Sequence, residues 1–165
     1  MKKIIIISSI LISAYSFSQI AIGKSTVDGS ALLDFGPGNK GLILPATTTI
    51  TSAVAGTLTF NATTKYVEYY NGTEWKQLSS KTGEYTTPNI TEVTEIGEGA
   101  IMGDQSSVGT VKGVLILQSL NKALVLPKVA DPHLNIKSPE PGTICYDTTA
   151  KAVAVFNGAI WDYWY

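Results

Sequence analysis

The sequence contains no arginine, so every basic residue is a lysine. Arginine supplies the planar, bidentate fork that proteins favour for binding phosphates and base edges. Without the first 18 residues, ten lysines face thirteen acidic residues, a net charge of −3. A faintly acidic chain without arginine is a poor nucleic-acid binder, so nucleic acid is not an expected partner.

Cysteine and histidine each occur only once, as Cys145 and His133. One cysteine cannot form an intramolecular disulfide, and a transition-metal site normally needs several His or Cys ligands. Cys145 aligns with Thr59, which predicts a small packed strand residue; the alternatives are an intermolecular bridge or a reactive thiol, including a Cys–His arrangement. His133 lies in a Pro-rich segment and is expected to be a solvated loop residue. Neither a phosphate-binding loop nor a G-x-S-x-G motif is present, so we predict a non-enzyme without metal or cofactor.

The N-terminus, MKKIIIISSILISAYSFSQ, predicts a cleaved signal peptide over residues 1–18. Two lysines precede a short apolar run, and Ser16 and Ser18 suit cleavage before Gln19. A transmembrane anchor needs about 20 apolar residues, and this run is shorter and broken by serines. We therefore expect a protein secreted or held at the cell surface, with the periplasm as a further destination, and no membrane span after cleavage.

An internal repeat organises the rest of the chain. GTLTFNATTKYVEYYNGTEW and GTICYDTTAKAVAVFNGAIW share eight identities in twenty positions, and NKGLILP upstream pairs with NKALVLP. The sequence predicts repeat 1 over residues 19–79, a polar linker or edge strand over 80–99, and repeat 2 over 100–165. The repeat positions to which we assign a structural role are Gly56, Asn71, Gly72, Trp75, Gly142, Asn157, Gly158 and Trp161.

The pattern of each repeat predicts an all-β fold of two tandem small modules. Apolar residues alternate with Thr and Cys, which is typical of half-buried strands. Each module is expected to contain a β-hairpin followed by a three-stranded antiparallel meander. Asn-Gly between two strands is the usual signal for a two-residue type I′ turn, which needs positive φ at both residues.

The predicted hairpin strands are apolar at consecutive positions. ALLDFGPGNKGLILP is expected to form a strand, a Pro-Gly-Asn turn and a second strand, and GVLILQSLNKALVLP its counterpart. Strands such as VLIL and ALVL lack a polar face, so both of their faces should be covered. The cover would be the other repeat or another chain. We therefore expect a homo-oligomer, or a complex with other surface proteins.

The aromatic residues favour packing but leave a second interpretation open. Trp75 and Trp161 are expected to cover the core of their meanders, because a 60-residue module has little core to spare. Exposed flat rings on a sheet would instead indicate a carbohydrate-binding, lectin-like module with glycans as partners. The candidate aromatic surface comprises Tyr66, Tyr69, Tyr70, Tyr163 and Trp164. Asp147-Thr148-Thr149 also fits a short bacterial O-glycosylation pattern, which makes Thr148 a candidate modification site.

These motifs also resemble a known kind of module. The order ALLD, NKGLILP, GTLTFN and YYNGTEW resembles a repeat common in exported and cell-surface proteins of the Bacteroidota, especially flavobacteria, where it often accompanies tail-fibre-like regions. The resemblance implies an exported, adhesin-like structural or interaction role, with no catalytic residues to transfer. The arginine often found soon after the proline in such modules is absent here.

Overall fold

The computed structural model describes residues 19–80, 83, 99–103 and 113–165. The predicted signal peptide and nearly all of the predicted linker lie outside these residues. The described part is almost entirely β, which confirms the predicted fold class. Its strands are β1 Ile20–Ile22, β2 Ala31–Phe35, β3 Leu42–Ile43, β4 Ala46–Thr47, β5 Leu58–Asn61, β6 Val67–Tyr70, β7 Trp75–Gln77, β8 Ala100–Gly103, β9 Leu115–Gln118, β10 Ala123–Leu124, β11 Lys128–Val129, β12 Thr143–Asp147, β13 Ala152–Phe156 and β14 Trp161–Trp164.

Both repeats end in the predicted three-stranded antiparallel meander. In repeat 1 it is β5-β6-β7, and in repeat 2 it is β12-β13-β14. A short strand adds in parallel to the first strand of each meander, β4 to β5 and β11 to β12. The cross-strand pairs Tyr70–Trp75 and Phe156–Trp161 occupy equivalent places. The sequence repeat is therefore a structural repeat.

The loop between the last two meander strands corrects the predicted type I′ turn. It contains four residues, Asn71 to Glu74, and the glycine alone has positive φ, 100° at Gly72 and 101° at Gly158. The Asn71 Oδ1 atom accepts hydrogen bonds from the backbone N–H groups of Thr73 and Glu74, both at 2.8 Å. An Asn side chain that holds its own turn removes the need for positive φ at that residue. Four residues place Trp75 directly opposite Tyr70, so the two side chains share one face of the meander.

The first strands of each repeat do not form the predicted hairpins. β2 lies between β1 and β10 and runs parallel to both, whereas β3 pairs antiparallel with β12. A strand has only two edges, and both edges of β2 are occupied, so β3 cannot pair with it. In repeat 2, β9 pairs in parallel with β8, and β10 pairs with β2. The partners of β2 and β3 thus include strands of the other repeat.

One core cluster joins the repeats. Leu44, Phe60 and Val67 of repeat 1 pack with Ile144 and Val155 of repeat 2, and all five are buried. Together with the pairing of β2 with β10, this core makes the two repeats one folded unit. The expected burial of one repeat against the other is therefore observed for part of the apolar sequence.

A single helical turn, α1 Pro132–Asn135, interrupts the Pro-rich segment of repeat 2. The turn begins with a proline, which suits the first helical position because an N–H there would have no partner within the helix and proline carries none. His133 stands on this turn and is exposed. The predicted solvated position of His133 is thus correct, but the segment is not all loop.

Candidate self-association surface and aromatic cleft

Equivalent strands of the two repeats differ sharply in burial. The sequence offset of 82 that aligns NKGLILP with NKALVLP also aligns β2 with β9. Leu32 and Leu33 in β2 are 2% and 1% exposed, whereas the aligned Val114 and Leu115 are 58% and 39% exposed. β2 is covered by β1 and β10, while β9 has β8 as its strand partner among the described residues. The expected two-sided cover of VLIL is thus missing in the described part of this single chain.

The structure supports this alignment independently. β1 runs parallel to β2, and β8 runs parallel to β9, so each repeat begins with the same strand pair. Both β1 and β8 lead to a glycine with positive φ, 74° at Gly23 and 105° at Gly103. The weak sequence match between IAIG and AIMG therefore marks the same element. The repeats differ in that β2 also pairs with a third strand, β10, whereas β9 has β8 as its one strand partner among the described residues.

Other large apolar side chains are exposed on the short strands β1 and β3. They are Ile20 and Ile22 on β1, 38% and 49% exposed, and Ile43 on β3, 57% exposed. Exposed apolar edge strands favour pairing with another chain. Their position on short, exposed strands points to self-association rather than to a ligand pocket.

An ion-paired cluster ties the start of repeat 1 to repeat 2. Lys24 Nζ contacts the carboxylates of Asp28 and the buried Asp34, and Lys128 Nζ of repeat 2 lies 3.1 Å from Asp28 Oδ2. Burial raises the pKa of Asp34, but hydrogen bonds from Lys24 and from two backbone N–H groups outweigh it and lower that pKa. The hydrogen bond to Asp34 raises the pKa of Lys24. The cluster holds β2 in place and has no free carboxylate pair for acid–base chemistry.

The candidate aromatic residues do not form one open, coplanar surface. Tyr70 packs on Trp75 with ring planes 53° apart, and Tyr69 meets Trp164 edge to face at 90°. Tyr66 is half-buried, while Trp164 is 44% exposed. Trp161 packs against a small cluster of Val129, Cys145 and Ala154, which agrees with its expected role as core cover.

A shallow cleft of about 490 Å³ lies at the end of repeat 2. The Tyr163 hydroxyl lies 3.3 Å from His133 Nδ1 across it, and burial raises the pKa of Tyr163. The cleft thus combines aromatic faces with carboxylate, imidazole and hydroxyl groups, a composition suited to a polar ligand. The lining residues are Asp131, His133, Asp147, Thr149, Ala150, Ile160, Trp161, Tyr163 and Tyr165.

Cys145 is fully buried, and burial raises the pKa of its thiol to about 12. Its side chain packs with Val129 and Ala154, as Thr59 is buried at the same place in repeat 1. A thiol so far from ionisation is a weak nucleophile. The geometry agrees with packing, since Cys145 does not line the cleft that His133 borders.

Sequence reasoning missed one pair of structural residues, Asn61 and Asp147. The Oδ1 atom of Asn61 accepts from the N–H groups of Thr63 and Thr64, at 3.0 and 3.1 Å. Asp147 Oδ1 does the same for Thr149 and Ala150, at 2.8 and 3.1 Å. The signal was available, because Asn or Asp before a short polar segment commonly closes a turn with its own side chain.

The described residues also bear on metal binding and on membrane-spanning helices. No group of three or more His, Cys, Asp or Glu side chains among the described residues could hold a metal ion. Within the same residues, no helix has the length and apolar character to cross a membrane. Thr148 is exposed on the turn after β12, and its modification stays a prediction.

The described residues form an all-β module whose short strands expose large apolar side chains. Residues 21–96 match a family model described as a phage tail like trimerisation region. The match covers β1 from Ala21 onward and all of β2 to β7, and it supports a structural, self-associating, tail-fibre-like module. No curated protein and no solved structure matches the chain.

Proposed function

We propose that this protein is an exported, non-enzymatic structural module that assembles as a homotrimer at the cell surface or outside the cell, in an adhesion-type role. The observation that carries the proposal is the contrast between buried Leu33 and exposed Leu115 at equivalent places. The match of residues 21–96 to a trimerisation region supports three copies as the assembly. Burial of the exposed apolar strands against other copies would stabilise it, at about 25 cal/mol per Å² of apolar surface.

Sedimentation velocity of the purified chain over the micromolar range tests the assembly. We expect one species with three times the chain mass, which persists on dilution. A monomer at every concentration would overturn the proposal. A dimer or tetramer would keep self-association and refute the trimer.

Export is tested separately, by the intact mass of the protein recovered outside the cytoplasm. We expect the mass of a chain that begins at Gln19. Retention of residues 1–18 in a cytoplasmic protein would refute export. An added glycan mass that disappears in Thr148→Ala would establish the predicted modification, whereas the bare mass would dismiss it.

Carbohydrate binding is the second candidate function, and the cleft beside Tyr163 favours it. Aromatic rings flanked by Asp131 and His133 can combine ring stacking with hydrogen bonds to a sugar. A glycan array should show binding that Tyr165→Ala reduces at least tenfold, since Tyr165 lines the cleft and is 94% exposed. Leu134→Ala is the matched control, because Leu134 is exposed and follows His133 of the cleft in sequence, but does not itself line the cleft. An empty array would remove this function.

A further inference from the structure

A short strand precedes the Leu-Pro pair of each repeat, β3 in repeat 1 and β10 in repeat 2, and each of these strands has two edges. β3 uses one edge to pair with β12 of repeat 2. β10 uses one edge to pair with β2 of repeat 1. Hydrogen-bond directions show whether these are the same edge of the repeated strand.

They are opposite edges. The Leu44 N–H donates to the Gly142 carbonyl at 3.0 Å, so the backbone groups of residues 42 and 44 point toward β12. Successive residues of a strand point their backbone groups to alternate edges, so those of Gly41 and Ile43 face away from β12. In β10 the N–H groups of Ala123 and Val125, which align with Gly41 and Ile43, donate to β2. The edge of β10 that β2 occupies is therefore the edge of β3 that has no strand partner among the described residues.

The strand that would fit this edge of β3, β9, likewise has one edge without a strand partner among the described residues. β9 is the equivalent of β2, and its Leu115 is 39% exposed where the aligned Leu33 is 1% exposed. β9 pairs with β8 just as β2 pairs with β1. One chain thus carries an edge of β3 and an edge of β9 that correspond to the edges through which its own β10 and β2 pair.

Residue sizes at the contact agree. In the β2–β10 pair, Ala31 stands opposite Ala123 and Leu33 opposite Leu124. The aligned residues are Gly113, shortly before β9, opposite Gly41, just before β3, small against small, and Leu115 of β9 opposite Leu42 of β3, leucine against leucine. Cross-strand pairs of matched size are what a sheet needs at a close contact.

We propose that β3 of one copy adds in parallel to β9 of the next copy, in the register of the internal β2–β10 pair. Leu42 of one copy then lies opposite Leu115 of its neighbour, and the Ile43 N–H donates to the Leu115 carbonyl. This inference rests on the proposed trimer and names the surfaces that build it. Because β3 and β9 are different surfaces, the contact is head to tail, and such contacts form rings when the rotation closes.

A disulfide test addresses the register directly. Paired residues on neighbouring strands lie within the Cα distance that a disulfide requires. Oxidation of the double variant Leu42→Cys/Leu115→Cys should give a covalent ladder that ends at a trimer on a non-reducing gel and collapses to monomer with reductant. Each single variant should stay monomeric on the gel, and a refolded mixture of the two singles should give dimers only.

A backbone test complements it. Ile43→Pro removes the N–H that faces the open edge, while the β12 hydrogen bonds come from residues 42 and 44; proline is tolerated at such edge positions. We expect Ile43→Pro to sediment as a folded monomer and Ile43→Ala to remain a trimer. Leu115→Lys should likewise abolish assembly, whereas Leu134→Lys, on a leucine of α1 that is 60% exposed, should not.

The outcomes separate the two proposals. If the double-cysteine variant sediments as a trimer but forms no cross-links, and Ile43→Pro leaves the trimer intact, this interface is refuted and the trimer stands. If the unmodified chain is monomeric, the proposed assembly itself fails. Circular dichroism and thermal melting of every variant identify any substitution that unfolds the chain, and the remaining variants then decide the question.

Discussion

The backbone N–H of Leu44 in repeat 1 donates a 3.0 Å hydrogen bond to the carbonyl of Gly142 in repeat 2. This bond places the end of β3 beside the start of β12, where Leu44 enters the core shared by both repeats. A Cβ atom on Gly142 would lie 3.0 Å from Phe60 Cβ and its φ is +86°, so glycine is required there on two grounds. Gly142 of repeat 2 thus lies against Leu44 and Phe60 of repeat 1 where the two copies join.

The shared core predicts a single unfolding transition. Phe60→Ala in repeat 1 should cost about 3–5 kcal/mol of unfolding free energy, because it leaves a cavity beneath both repeats. Val155→Ala in repeat 2 should lower the midpoint of the same transition by a smaller amount. Denaturant unfolding followed by circular dichroism measures both, with the exposed Leu134→Ala as a control expected within about 0.5 kcal/mol. Two separate transitions, with only one of them displaced, would contradict a common core.

The equivalent asparagines Asn71 and Asn157 should differ in importance. Each accepts hydrogen bonds from two backbone N–H groups, but Asn157 is fully buried and Asn71 is exposed. Truncation of the buried Asn157 side chain leaves a cavity and also breaks its hydrogen bond to Asp162 Oδ2 at 3.3 Å, whereas water can replace the exposed Asn71 side chain. We expect about 2 kcal/mol of destabilisation for Asn157→Ala and about 1 kcal/mol or less for Asn71→Ala, from chemical denaturation. Equal costs would show that burial of the turn has no effect.

The Lys24–Asp34 pair should make stability depend on pH in the acid range. The pKa of Asp34 is lowered below its ordinary value of 3.8. A lowered pKa in the folded state gives stability that is present above 3.8 and is lost as pH falls through the folded-state pKa. We expect Asp34→Asn to destabilise the protein by about 2 kcal/mol at pH 7, and by much less near pH 2.

Thermal melting of both forms across this range measures the effect. The matched control is Asp162→Asn, a half-buried carboxylate that no lysine pairs with among the described contacts. Its melting difference from the unmodified protein should vary less with acidification. A constant difference for Asp34→Asn from pH 7 to pH 2 would show that the ion pair does not contribute.

The Cys145 thiol should be unreactive while the protein is folded. A pKa of about 12 leaves only about one thiolate in ten thousand at pH 8. A colourimetric thiol reagent should therefore react at the unfolding rate, and immediately in denaturant. Cys145→Thr, which introduces the residue of repeat 1, should retain the fold. Rapid reaction of the folded protein would place the thiol at the surface and reopen a reactive role.

Much of the architecture could be predicted from the sequence. Alternation in GTLTF and GTICY identified the first meander strands, and the Trp after Asn-Gly placed the third strand opposite the second. These features depend on contacts between neighbours in the chain, where a period of two and a short loop fix the register. The prediction of a type I′ turn at Asn-Gly was wrong because hydrogen bonds to the asparagine side chain, rather than positive φ at the asparagine, shape the loop.

The sequence by itself determined an all-β repeat protein, the meander of each copy, and strands too apolar to stand alone. Only the tertiary structure decided that β2 pairs with β10 and β3 with β12, while the equivalent β9 pairs with β8 alone within the part of the chain that the structure describes. Period-two patterning shows which faces of a strand are buried, but it does not show which distant strand lies along its edge. Edge pairing uses backbone N–H and C=O groups, which every residue except proline carries alike, so the path of the whole chain decides it.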